Sequence, residues 1–184
     1  MGNANDLEQI VERDGDRLYR VALRITGCAE DAEAAIEAAL RAAARTTDAA
    51  DTESPLESRL YRAVARAAHD RRRRRRPRIG DMALERLIPV IDVEGHFEPM
   101  GDWSHRIDEH ALDRRLHEVV MDAIDALPVD DRTALILQDL EGAPTADIAA
   151  ILGDDVPTVK RRVHRARLFV RRRLSEYFES AGVA

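Results

Sequence analysis

Along the first third of the chain, apolar side chains return at steps of three and four. Leu7, Ile10, Val11, Leu18, Val21, Ala22 and Ile25 share one face of a 3.6-residue repeat, and Gly27 supplies a stop, which predicts a first helix ending there. The run AEDAEAAIEAALRAAART predicts a second helix with Asp31 and Glu33 in its first turn, where the helix dipole favours acids. Residues 46–55, TTDAADTESP, form a turn-rich break. A third helix starts near Leu56, carries a narrow stripe of Leu60, Val64, Ala67 and Ala68, and runs through the arginines 71–76 until Pro77 ends it.

The pattern then changes. Residues 79–108 mix Pro, Gly and acids with scattered apolar positions and read as a linker. After it, Leu112, Leu116, Val119, Val120, Ala123, Ile124 and Leu127 restore helical spacing up to Pro128, and VDDRTALILQDLEG predicts a further helix reaching Gly142. Two shorter helices are expected after that. Aromatic residues make up only 4% of the chain, and no stretch shows sustained period-two alternation. The expected fold is all-α: a helical domain over 1–78, an acidic linker over 79–108 and a second helical domain over 109–184.

Residues 144–174, PTADIAAILGDDVPTVKRRVHRARLFVRRRL, carry the most specific pattern. Thr145 can cap a short helix whose Ile148, Ala149, Ile151 and Leu152 face inward, Gly153 permits a tight turn, and Pro157 suits the first turn of the next helix. This is helix-turn-helix spacing. In the second helix Val159, Val163, Ala166 and Val170 fix one face, so Lys160, Arg161, His164, Arg165, Arg167 and Arg171 fan over the other. A helix presented this way can enter a major groove, its first turns at base edges and its later arginines at phosphates.

Charge sharpens the picture. The formal net charge of −6 conceals blocks of −7 over residues 1–58, +9 over 59–78, −14 over 79–156 and +6 over 157–184. Of 29 cationic residues only Lys160 is a lysine. Arginine grips phosphate in a bidentate fork, so a repeating polyanion is the natural partner of both basic blocks. The acidic linker, with Asp92, Glu94, Glu98 and Asp102, can in turn cover those basic surfaces.

Other chemistries find little support. His96, His105, Asp108, Glu109 and His110 are metal-ligating types, but their spacing matches no compact signature, and a solvated acidic linker accounts for them better. There is no Gly-rich phosphate loop and no nucleophile constellation, so no catalytic residue, metal or cofactor is assigned and the chain is not read as an enzyme. Cys28 is the one cysteine, which excludes an intrachain disulfide and suits a reducing compartment. No apolar run approaches the roughly 18 residues that span a bilayer, and the N-terminus lacks the basic start and apolar core of a leader, so a soluble, cytoplasmic protein without membrane insertion is expected.

The stretch LPVDDRTALILQDLEGAPTADIAAILGDDVPTVKRRVHRAR resembles region 4, the promoter-reading domain, of bacterial RNA polymerase sigma factors of the extracytoplasmic-function (ECF) group within the sigma-70 family. Leu127, Pro128, Arg132, Glu141, Gly142, Ile148, Ala149, Thr158, Val159, Lys160, Arg162, His164, Arg165, Ala166 and Arg167 match that group's pattern. LYRVALRITGCAEDAEAAIEAAL and LYRAVARAAHDRRRRRR are similar to region 2. The resemblance implies a transcription initiation factor with core RNA polymerase and promoter DNA as partners. An anti-sigma factor is a further partner the group admits.

Carried over residue by residue, the resemblance assigns the minus-35 element to Thr158, Lys160, Arg161, His164, Arg165 and Arg167. It assigns the minus-10 element and nearby backbone to Arg62, Arg66, Arg71, Arg72, Arg73, Arg74, Arg75 and Arg76, and polymerase to Asp31, Glu33, Glu37 and Leu40. The chain departs from the group's pattern at Ala34, Glu37, Ala38 and Ala44 in the second helix, and at Arg59, where a tryptophan is common. It departs again at Asp154, Pro157 and Arg161 in the helix-turn-helix. The alanine-rich second helix supports a competing reading, a sigma-like DNA-binding regulator whose polymerase recruitment is weak or partner-dependent.

Overall fold

The computed structural model describes residues 2–45, 55–75 and 114–180. Among them every regular element is helical: α1 Gly2–Thr26, α2 Ala29–Arg45, α3 Leu56–Arg75, α4 Arg114–Ala126, α5 Val129–Leu135, α6 Thr145–Leu152 and α7 Val156–Ser180. Arg76 and the acidic stretch with His96, His105, Asp108, Glu109 and His110 lie outside the described residues, as do Asp92, Glu94, Glu98 and Asp102.

α1, α2 and α3 pack pairwise into a three-helix unit, and α7 packs along α4, α5 and α6 to form a second. α1 contributes Leu18, Val21, Ala22 and Ile25, the face predicted by its spacing. α2 turns Ala32, Ala35 and Ala39 inward, and such small side chains let neighbouring helices approach closely. The units also meet each other, because α3 packs on both α5 and α6. One continuous apolar cluster therefore runs from Leu7 to Phe169, with a satellite of Leu116, Leu174 and Phe178 where α4 meets the distal part of α7. Each fully buried Ile25, Leu60, Val64 or Ile148 contributes roughly 1.5–3 kcal/mol relative to its exposed state.

Three expectations are corrected. The helix expected to run to Gly142 is α5 followed by a π-helical turn, Ile136–Leu140, in which Glu141 N–H reaches back to Ile136 O at 3.1 Å. Thr145 is not the cap of α6: Pro144 holds that position, its carbonyl accepting from Asp147 and Ile148, while the Thr145 hydroxyl faces Gln138 Oε1 at 3.4 Å. α7 is not short; at 25 residues it equals α1 in length, because Phe169, Leu174 and Phe178 extend its apolar stripe along α4.

The end of α1 shows how backbone geometry and charge are joined. Gly27, at φ +80°, closes α1 through its N–H to Leu23 O, 2.8 Å, and lets the chain turn into α2. The exposed carbonyl end also receives Arg72, whose Nη1 donates to Thr26 O at 2.5 Å. A Cβ at Gly27 would lie 2.6 Å from that same nitrogen. Gly27→Ala is expected to destabilise the chain by about 1–3 kcal/mol, combining positive-φ strain with displacement of a buried guanidinium. Denaturant unfolding measures the loss, and in an Arg72→Ala background only the strain component should remain.

Candidate nucleic-acid interface

α6 and α7 form the helix-turn-helix. α6 buries Ile148, Ala149 and Ile151, and Gly153, at φ +74°, ends it by donating to Ala149 O at 2.9 Å. The chain re-enters helix at once because Asp155 Oδ1 accepts the Thr158 N–H at 2.8 Å, and hydrogen bonding from the Thr158 side chain first, and from this N–H second, holds the Asp155 carboxyl below its usual value. α7 buries Val159, Val163, Ala166 and Phe169. Lys160, Arg161, His164, Arg167 and Arg171 are consequently exposed on the opposite face.

These cations are not equivalent. Arg161 donates to the half-buried Thr158 hydroxyl at 2.9 Å, which steadies it at the N-terminal end of α7. Arg167 forks onto exposed Asp139 at 2.6 and 2.9 Å, and this pair raises its pKa. Arg165 turns toward α5, where Nε and Nη2 donate to Asp131 at 3.0 and 2.9 Å. Arg162 joins it there, donating to Asp154 at 2.7 Å and Asp131 at 3.4 Å and facing Asp130 at 3.3 Å. Asp131 is fully buried, and that burial pushes its carboxyl above the usual range against the pull of Arg165 and Arg162.

α3 presents the other basic block, and part of it is engaged by the second unit. Arg62 meets Asp147 of α6 at 3.1 Å, and Arg66 donates to Ala150 O at 3.2 Å. Arg72 turns inward because it follows Ala65, Ala68 and His69 at helical spacing; it is 6% exposed and also faces Asp125 at 3.3 Å. Arg75 pairs with Asp31 at 3.0 Å, Arg71 approaches the same carboxylate at 3.9 Å, and Arg73 and Arg74 are exposed. The arginine run is therefore a two-sided helix end rather than a uniform cationic edge.

On α2, Glu33 and Glu37 are exposed, Glu37 pairing with Arg41, and Leu40 is half-buried against the core. Asp31, by contrast, is buried and receives Arg75 and the Cys28 thiol. Among the described residues no three His, Cys, Asp or Glu side chains gather to hold a metal, and no helix is long and apolar enough to cross a membrane.

Sequence reading missed the polar seam between the units. Arg132 of α5, 1% exposed, bonds Asp125 and also donates to Arg24 O at 2.6 Å. His69, 2% exposed, lies 3.1 Å from Thr133 Oγ1 and 3.4 Å from Asp130. Arg24 closes the edge by bonding Glu141. Helical spacing placed Arg72 and His69 beside apolar α3 residues, which was the available signal; nothing local marked Asp131 or Asp125.

A helix-turn-helix whose second helix exposes a basic face, carried beside a second helical unit, is the architecture of a DNA-binding domain. The family model described as Sigma-70, region 4 matches residues 117–170. ECF RNA polymerase sigma factor SigM of Mycobacterium tuberculosis is 30% identical over 166 residues, covering 90% of this chain and 76% of SigM. SigE of Mycolicibacterium smegmatis is 29% identical over 170 residues, covering 92% of this chain, which spans 62% of SigE's length. The sigma factor RpoE of Bartonella quintana, solved in complex with the anti-sigma factor NepR, shares the fold with a TM-score of 0.60 at 23% identity, covering 92% of this chain and 96% of RpoE. The chain belongs to the ECF RNA polymerase sigma factors.

The seam has a pH signature. Burial lowers the His69 pKa, against the raising effect of Asp130 and Asp70 and with Arg73 and Arg162 adding to the lowering. The unfolded chain takes up this proton near pH 6.5, about the ordinary histidine value, whereas the native seam resists it. Stability from this group is present above that pH and lost as pH falls through it. Thermal unfolding midpoints between pH 7.5 and 5.5 should decline more steeply for the native chain than for His69→Gln; equal slopes would remove His69 as the cause.

Proposed function

We propose that this chain binds core RNA polymerase in the cytoplasm and directs it to promoters, reading the minus-35 element with α7 and engaging the minus-10 element with the α1–α3 unit. The observation carrying this reading is the recognition face of α7. Lys160, Arg161 and His164 stand exposed in its first turns directly after the Gly153 turn, where a helix entering a major groove meets base edges. Thr158 steadies Arg161, and Arg167, paired only at the surface with Asp139, can exchange that partner for a phosphate.

Residues 1–78 serve as region 2, 79–108 as the linker and 109–184 as region 4. Glu33 and Glu37 offer exposed charge to polymerase, with Leu40 and Asp31 shaping the surface beneath them. Arg73 and Arg74 are placed to hold backbone phosphates. Arg62 and Arg66 meet α6, so use of that face of α3 on DNA requires the helix-turn-helix unit to move off it. The role is one of binding and positioning, with the chemistry of RNA synthesis left to the polymerase. An anti-sigma factor is a partner class in keeping with the RpoE relative solved with NepR.

Run-off transcription with purified core polymerase and a promoter library is the direct test. Defined transcripts that require this chain are expected. Binding of DNA without binding of core polymerase would instead favour a DNA-binding regulator, the reading suggested by Ala34, Ala38 and Ala44 on the alanine-rich α2. Within the active complex, Arg161→Ser is expected to change the selected minus-35 sequences, and an unchanged profile would exclude Arg161 from base reading.

A further inference from the structure

Two of the basic side chains of α7, Arg162 and Arg165, face away from the exposed recognition surface. They converge on three carboxylates: Asp130 and Asp131 at the start of α5, and Asp154 in the turn before α7. Asp131 is the centre of the group, with no solvent exposure and guanidinium contacts from both arginines. Two positive charges held among three negative ones leave no local excess of positive charge, and an approaching phosphate finds no attraction there. The arrangement also has directional content. A bidentate fork from Arg165 to a carboxylate anchored in α5 fixes rotation of α7 about its own axis, which apolar packing of Val159, Val163 and Ala166 alone constrains less sharply.

Resting on the promoter-reading function proposed above, we propose that Asp131 is a positioning residue for DNA recognition. It sets the roll of α7 and holds Arg165 and Arg162 off the DNA backbone, so that Lys160, Arg161 and His164 carry the contact. Buried ion pairs contribute little net stability once desolvation is counted, whereas their geometry is strict. Asp131 therefore acts on specificity: an α7 free to rotate, with Arg165 free to reach phosphate, would bind more DNA sequences and depend more on salt.

The experiment uses the full chain bound to core polymerase and a duplex pool randomised across the minus-35 window, followed by affinity measurements from 50 to 200 mM KCl on duplexes enriched by the native complex. Asp131→Asn should broaden the enriched set and steepen the log affinity against log salt slope by about 0.9 for each further phosphate that the released arginines neutralise. Arg165→Ala should broaden the set while leaving the slope unchanged, since the native side chain does not touch phosphate. The double variant D131N/R165A should lose most of the added slope, a result that simple loss of stability would not produce.

A shallower slope in Arg165→Ala would show that Arg165 already contacts DNA and would overturn the proposal. So would an Asp131→Asn variant with the native profile and slope. If Asp131→Asn does not fold, the Arg165→Ala slope decides alone. If the native complex enriches no duplex beyond core polymerase by itself, the promoter-reading function falls and this proposal with it.

Discussion

Arg132 carries a guanidinium into a position that is 1% exposed, where its two Nη groups find acceptors in both helical units. Its partners are the Asp125 carboxylate and the carbonyl of Arg24 near the C-terminal end of α1. Arg72 arrives from α3 and meets the same carboxylate and the carbonyl of Thr26. A buried arginine without acceptors is costly, so the end of α1, the chain reversal at Gly27, the end of α4 and the register of α3 are tied together. The negative end of the α1 dipole adds to this, since both cations sit where helix carbonyls lack intrahelical partners. His69 with Thr133 and Asp130, and Arg24 with Glu141, complete a polar seam between apolar layers.

The abundance of arginine thus serves three structural ends. One set, Arg72 and Arg132, is buried and joins the units. A second, Arg162 and Arg165, ties the recognition helix to α5. A third, including Arg73, Arg74, Arg161 and Arg171, faces solvent and is available to a polyanion. Arginine suits all three because its planar fork satisfies several acceptors at once and stays charged when buried, where a lysine would tend to lose its proton. The near absence of lysine from this chain is consistent with a protein that uses cations as fixed connectors as well as DNA contacts.

This division bears on how DNA recognition is built. In the proposed function, Lys160, Arg161 and His164 meet DNA from a helix held on one side by apolar packing and on another by the pairing of Arg165 and Arg162 with Asp131. α3 is in a different condition, since Arg62 and Arg66 are in contact with α6. The two basic blocks are therefore unequally accessible in this packed arrangement.

The helices themselves were legible in the sequence, because a repeat of three and four is a local property and the stops at Gly27, Gly153 and Pro128 act through neighbouring dihedral angles. The exposed tip of the recognition helix followed from the same arithmetic. The π turn after α5 was not legible, because ILQDL reads as ordinary helix and only packing against α6 and α1 selects the wider turn. Nor did sequence divide the arginines. Arg71 to Arg75 differ only in azimuth, and what they meet comes from elements distant in the chain: Asp31 of α2 for Arg71 and Arg75, the end of α1 and Asp125 of α4 for Arg72. Asp131 looks like any surface acid at a helix start until α7 is laid across it. Sequence by itself determined the helical fold, the stops at Gly27, Pro128 and Gly153 and the exposed basic face of α7, since these depend on contacts within a few residues. The tertiary structure alone decided which charges are buried, which are paired and which remain for DNA, because Coulomb energy and desolvation depend on distances between residues far apart in the chain.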